Sequence, residues 1–250
     1  MKKVFSIYSE ADHTWQIITR DPEKPNYLID TNEYLITKGK NTIITDPGGS
    51  EIFPAVVSSL STSINPKSIE YIFASHQDPD IVSSLSLWLD MNEEIKCFAS
   101  RIWTSFLPHF GGNNETFISI PDNGMKFNFY DLELEFVPAH YLHSSGNFHI
   151  YDSKAKLYFS GDIGAALLPH DYLEENDIYV QDFDNHIQYC KGFHQRWMGS
   201  NEAKLDWCER VSKYNIDLLC PQHGLIFRGK DVMRFINWFS ELKVGVINES

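Results

Sequence analysis

The 250-residue chain has 34 acidic and 21 basic side chains, a formal net charge of −13, and 42% hydrophobic and 14% aromatic residues. That make-up belongs to a globular protein with a substantial core and excludes a disordered chain. Its lysines and arginines are scattered rather than gathered in a stripe, so nucleic acid and anionic membranes are not expected as partners. Behind Met1-Lys2-Lys3-Val4-Phe5-Ser6 no long apolar run follows, so no signal peptide is expected. No stretch reaches the ~18 apolar residues of a membrane span. Cys97, Cys190, Cys208 and Cys220 form no CxxC pair and read as reduced thiols, which points to a cytoplasmic protein.

Short β-type runs open the chain at Val4–Tyr8, Trp15–Thr19, Tyr34–Thr37 and Thr42–Thr45. Pro47-Gly48-Gly49 breaks the pattern, and a helix is expected over Phe53–Leu60. Strand character returns at Tyr71–Ser75. A helix follows over Asp80–Leu89, with Asp78 or Asp80 placed to cap it. The order then repeats. Strands are expected at Phe117–Ile120, Lys126–Tyr130, Leu132–Val137, Phe148–Tyr151 and Leu157–Phe159. Helices are expected at His186–Met198 and Glu202–Tyr214, then a strand at Leu218–Cys220 and a helix at Val232–Leu242. No linker divides residues 1–250, which read as one α/β domain. Strands followed by helices, twice over, predict two packed sheets with helices outside.

Potential metal donors gather where these strands end. His76-Gln77-Asp78-Pro79-Asp80 follows the strand that ends at Ser75. Alternate positions of an extended segment share a face, so its three donors can converge beside a turn. Read alone, the motif also fits a polar loop with a helix cap. His143 follows the strand Leu132–Val137. Asp162 follows Ser160-Gly161, and His223 lies between Pro221-Gln222 and Gly224. A histidine or aspartate beyond four separate strands is the pattern of a metal centre assembled from distant segments.

This set resembles the metallo-β-lactamase superfamily, and within it the flavo-diiron group, whose first motif is H-x-E-x-D-H. The 18 residues between His143 and Asp162 and the 60 between Asp162 and His223 match that group's spacing. The resemblance implies a metallo-β-lactamase-like αββα sandwich. It further implies that His76, Asp78 and His143 hold one metal, that Asp80 and His223 hold a second, and that Asp162 bridges them. Spacing favours His143 over His140 as the ligand. Asp78 stands where zinc hydrolases of the superfamily place histidine. A carboxylate there hardens the site and favours a pair of iron ions, with zinc the alternative. Ile81 occupies the position of a further histidine ligand, so the second metal has one donor fewer.

His140, Tyr189 and His194 are the further candidates for the pocket. His149 reads as an ordinary strand histidine, and His13, His109, His170 and His186 also read as ordinary. The missing ligand and the absence of a flavin-binding segment from this chain make it similar to stand-alone oxygen-binding di-iron proteins. That resemblance implies a dioxygen-binding sensor or carrier linked to chemotaxis signalling, with chemotaxis signalling proteins as partners and a homodimer as the assembly. One alternative is a dioxygen or nitric oxide reductase, of low turnover, fed by an external flavoprotein or rubredoxin. The other is a metal-dependent hydrolase using a metal-activated water.

Overall fold

Alternation along the strands decides the layers. In the computed structural model, which describes residues 2–21, 24, 25, 27–169 and 177–246, the first seven strands form one sheet. They are β1 Val4–Glu10, β2 His13–Ile18, β3 Glu33–Lys38, β4 Asn41–Thr45, β5 Ile69–Phe73, β6 Lys96–Ser100 and β7 Phe117–Ile120. The second sheet holds β8 Met125–Phe129, β9 Leu132–Pro138, β10 Phe148–Asp152, β11 Leu157–Gly161, β12 Leu218–Pro221 and β13 Phe227–Arg228. Trp15, Ile17, Tyr34, Ile36, Phe73 and Phe98 of the first sheet pack against Phe129, Leu134, Phe136, Phe148, Ile150 and Phe159 of the second. Intervening residues face outward on each sheet, as a period of two requires.

Six helices cover those outer faces. On the first sheet, α1 Phe53–Leu60, α2 Pro79–Val82 and α3 Leu85–Met91 cover Ile18, Leu35, Ile44 and Ile72. On the second, α4 Phe183–Trp197, α5 Asn201–Val211 and α6 Lys230–Glu241 cover Val137, Tyr151, Tyr158 and Leu219. The result is the expected αββα sandwich. Each sheet begins as a four-stranded antiparallel meander, β1–β4 or β8–β11, and then takes a parallel step, β4 to β5 or β11 to β12. Parallel steps need crossovers, so β5 and β12 end at the same kind of place, where a strand hands the chain to a loop. No helix among the described residues is long and apolar enough to cross a membrane. His170 and the chain end at Ser250 lie outside the described residues.

Several local expectations are corrected. The helix expected over Asp80–Leu89 is broken at Ser83-Ser84 into α2 and α3. There Ser84 Oγ donates to the Gly48 carbonyl at 2.6 Å, and Ser83 Oγ accepts from Ser50 N–H at 3.0 Å. Side-chain bonds to a neighbouring backbone compete with the helix ladder and fasten the Pro47-Gly48-Gly49 loop beside it. Asp78 does occupy the N-cap position of α2, yet its side chain makes no capping bond. Helix α4 starts at Phe183 rather than His186, because Asp182 caps it by accepting from Asn185 N–H. Helix α5 ends at Val211, short of Tyr214. The two-residue strand β13 was not expected, being too short to show alternation.

Candidate metal centre

Four chain segments leave the strand ends and meet. The stretch after β5 carries His76, Asp78 and Asp80; the loop after β9 carries His143; the ends of β11 and β12 carry Asp162 and His223. The carboxylate of Asp162 lies between two groups. Its Oδ2 is 3.6 Å from His76 Nε2 and 3.4 Å from His143 Nε2. Its Oδ1 is 3.4 Å from His223 Nε2. On the first side, Asp78 Oδ2 is 3.0 Å from His143 Nε2 and 3.7 Å from His76 Nε2. On the second, Asp80 Oδ2 is 3.4 Å from His223 Nε2. Nitrogen and oxygen donors sharing one ion at about 2.1 Å stand roughly 3.0–3.4 Å apart. His76, Asp78 and His143 converge on one candidate cation position; on the other oxygen of Asp162, His223 and its neighbour Asp80 stand together without that three-donor convergence.

Local chemistry fits the same reading. Asp162 Oδ1 is buried without a hydrogen-bond partner, which is costly for a carboxylate oxygen unless a cation faces it. Asp78, which could cap α2, turns to His143 instead. Each pinned histidine presents Nε2. The His76 Nδ1–H donates to Ser75 Oγ at 2.8 Å, and the Ser75 hydroxyl donates in turn to Asp46 Oδ2 at 2.6 Å. Ser75 N–H donates to Asp46 Oδ1 at 2.7 Å. The His223 Nδ1–H donates to the Asp30 carbonyl at 2.6 Å. With Nδ1 as the donor, the Nε2 lone pair is free for a metal. Gln77 links two of the loops: it accepts from Ser144 Oγ at 2.7 Å and donates to Asp78 Oδ1 at 3.1 Å.

The electrostatics call for positive charge. Burial alone would lower the His76 ring, but Asp162 and Asp78 raise it to about 9. Burial is likewise overcome at His223, where Asp162 and Asp80 raise the ring to about 9. Burial would raise Asp78, yet His143 and His76 hold it well below the carboxylate range. Asp162 is held low in the same way, against burial, chiefly by His76 and His223. Asp80 stays raised, because burial, with the neighbouring Asp162 and Asp78, outweighs the His223 and His76 rings. Three carboxylates are gathered here, and in the absence of metal they favour the protonated forms of His76 and His223. Divalent cations would displace those protons.

Ile81 is fully buried in the apolar layer beneath α1 and α3, packed with the cluster that includes Val56, Leu85 and Trp88. The Asp80–His223 side therefore has fewer side-chain donors than the His76–Asp78–His143 side. The other candidates fall outside the cluster of donors. His140 turns away: its Nε2 bonds the Asp122 carbonyl at 2.7 Å and its ring stands edge-on to Phe148. His194 is fully buried, accepts from Gly164 N–H at 3.0 Å and donates through Nδ1 to the Cys190 carbonyl at 2.7 Å. Burial drives it down to about 4, so it is neutral and ties α4 to the turn after Asp162. Tyr189 packs against the hydrophobic layer of α4–α6, and its main-chain oxygen accepts from Leu167. His149 is a core residue between Tyr158 and Trp207.

Ser75, Gln77, Asp46 and the Asp30 carbonyl were not legible from the sequence as supports. Polar residues directly flanking His76 were the available signal. Ser75→Ala is expected to weaken metal binding by about 10–100-fold, the usual effect of losing an outer partner of a ligand histidine. Titration of the metal-free variant with ferrous iron checks this, and unchanged affinity would remove Ser75 from the account.

A sequence profile described as ODP family beta lactamase matches residues 29–224. The chain belongs to this ODP family. Among solved structures, the ODP family member is similar to one described as the apo state of chemotaxis sensor ODP from T. denticola. They share 34% identity over 98% of this chain and 96% of that one, with a TM-score of 0.87. It is also similar to a structure described as the peroxy diiron species of chemotaxis sensor ODP, at 34% identity and a TM-score of 0.85, covering 97% of this chain and 96% of that one. A putative diflavin flavoprotein of Nostoc is 30% identical over 81% of this chain but only 34% of its own length. An uncharacterized protein of Methanocaldococcus jannaschii is 24% identical over 79% of this chain and 49% of its own length. The chain thus spans about half or less of these two curated relatives, and the fold is that of metallo-β-lactamase-like flavo-diiron domains.

Proposed function

We propose that this ODP family chain binds dioxygen at a di-iron centre and serves as an oxygen sensor for chemotaxis signalling. His76, Asp78 and His143 would hold one iron, Asp80 and His223 the other, and Asp162 would bridge them. The observation that carries this reading is the division of Asp162: each of its oxygens faces a different group of donors, 3.4–3.6 Å away. A donor set of three carboxylates and three imidazoles is hard enough to favour iron over zinc. A reduced iron pair supplies the electrons and the open position that dioxygen binding needs. The chain's part is to fix the His76 and His223 imidazoles through Ser75, Asp46 and the Asp30 carbonyl, to hold Asp78 and the His143 loop through Gln77, and to keep the Ile81 position closed to a further ligand. Similarity to proteins described as chemotaxis sensor ODP supports the sensing role. On the same reading residues 1–250 form one di-iron domain, working in the cytoplasm as a homodimer with chemotaxis signalling proteins as partners.

The test is anaerobic loading with ferrous iron followed by dioxygen. A persistent visible charge-transfer band supports binding. Immediate conversion to a resting ferric form, with continuous dioxygen or nitric oxide consumption when a flavoprotein or rubredoxin donor is added, would support a reductase instead. Full activity of a zinc form on an ester would support a hydrolase.

Ile81→His is expected to destabilise the metal-free chain by about 2 kcal/mol or more, because a polar ring replaces a fully buried aliphatic side chain. Iron should recover part of that loss if the new ring turns toward Asp80. Thermal unfolding with and without iron measures both effects. Equal destabilisation in the two states would show that position 81 does not reach the second metal.

A further inference from the structure

We propose that Trp197 is the gate of the dioxygen site: its indole, stacked on Phe193, covers His143 and sets how fast dioxygen and water enter and leave. This rests on the dioxygen-binding reading above. Phe193 and Trp197 are four residues apart on α4 and share a face. Their rings stack at 5.7 Å and 17°. The indole meets the His143 ring edge-on, with centroids 5.2 Å apart. Phe193 lies 6.4 Å from the His143 ring and 6.4 Å from the His223 ring, so the pair roofs both donor groups. Depth does not close the site: the side chains of Asp78 and Asp80 are 25% and 28% exposed. Trp197 itself is 52% exposed and lines an open cavity of about 510 Å³ with Gln77, Asp78, His143 and Arg196.

The backbone of α4 is anchored on both sides of Trp197, which leaves its half-exposed indole to act as the cover. His194 ties the preceding turn to Gly164, and Gly199, two residues past the helix, donates to the Tyr141 carbonyl at 3.3 Å. A half-exposed indole adds little to the core, so its removal should leave the fold and the six donors in place. What it does cover is the outer edge of one imidazole. A small apolar molecule can slip past such a ring when it swings, whereas bulk water is held off.

Two variants, Trp197→Ala and Trp197→Phe, are compared with the unaltered chain. In the metal-free protein, modification of His143 by diethyl pyrocarbonate is read by mass spectrometry, with buried His149 and His194 as internal controls. Trp197→Ala is expected to speed His143 modification about tenfold and Trp197→Phe less, while the controls do not change. In the iron-loaded protein, Trp197→Ala is expected to speed dioxygen release into oxygen-free buffer by a similar factor, with iron content and band position unchanged. Wild-type labelling rates at His143 in both variants, or unchanged release with two irons bound, would overturn the proposal. If the unaltered chain takes up no dioxygen at all, the functional reading fails, and the metal-free labelling still decides whether Trp197 covers His143. Should Trp197→Ala fail to fold, Trp197→Phe, which keeps the stack on Phe193, carries both measurements.

Discussion

Asp162→Asn is expected to reduce metal binding from two ions to at most one and to weaken the remaining site by more than about 100-fold, beyond the loss usual for an outer partner. The reason is geometric. Both oxygens of Asp162 are in use, Oδ2 toward His76 and His143 and Oδ1 toward His223. An amide keeps the shape but turns an N–H₂ toward one of the groups, and that nitrogen offers no lone pair to a cation. The metal-free variant provides a second readout. Asp162 is the first among the groups that raise His76, so that ring should titrate closer to its ordinary 6.5. Titration with ferrous iron and NMR of the imidazoles measure the two effects. Two ions bound at unaltered affinity would show that Asp162 is not the bridge.

The second large effect is on pH. His76 and His223 are raised from 6.5 to about 9 in the metal-free fold, against burial, chiefly by Asp162. Folded values above unfolded ones mean that this stability is complete below pH 6.5 and is lost as the pH climbs through about 9. Asp46, raised from 3.8 to about 7 by burial, adds a loss of the same sign between those values. Asp78 and Asp162, held low, contribute above 3.8, and that share disappears in acid. In the presence of a chelator the protein should therefore lose stability from pH 6.5 to 9, by on the order of 3 kcal/mol per ring as an upper bound. Metal reverses the sign: ions must displace the protons on His76 and His223, so affinity should rise across the same window with about two protons released per chain. Thermal unfolding against pH with chelator, and calorimetry in buffers of different ionisation enthalpy, check both. A flat profile between 6.5 and 9, with no proton release, would contradict the account.

Much of the site could be read from the sequence because its residues stand at strand ends. Apolar runs such as Tyr71–Ala74 and Leu218–Cys220 stop against His76 and His223, and glycines at 161 and 224 mark sharp turns; both take positive φ, 50° and 87°. Spacing also separated His143 from His140, which bonds the Asp122 carbonyl. The layers were legible from the order of strands followed by helices, repeated twice. What could not be read depended on distant partners. Asp46 lies 29 positions from Ser75, and the Asp30 carbonyl lies 193 from His223; nothing local announces either contact. The break between α2 and α3 was hidden for the same reason, since Ser83 and Ser84 leave the helix to bond Ser50 and Gly48. Nothing in the sequence sets Phe193 and Trp197 apart as a roof, because an aromatic pair at helical spacing most often is core.

The most direct test of the paired centre is elemental analysis of the protein isolated under strictly anaerobic conditions, followed by titration with dioxygen. Two irons per chain, with one dioxygen taken up per pair and retained, is the predicted result. One metal per chain, or zinc in place of iron with no dioxygen uptake, would contradict it.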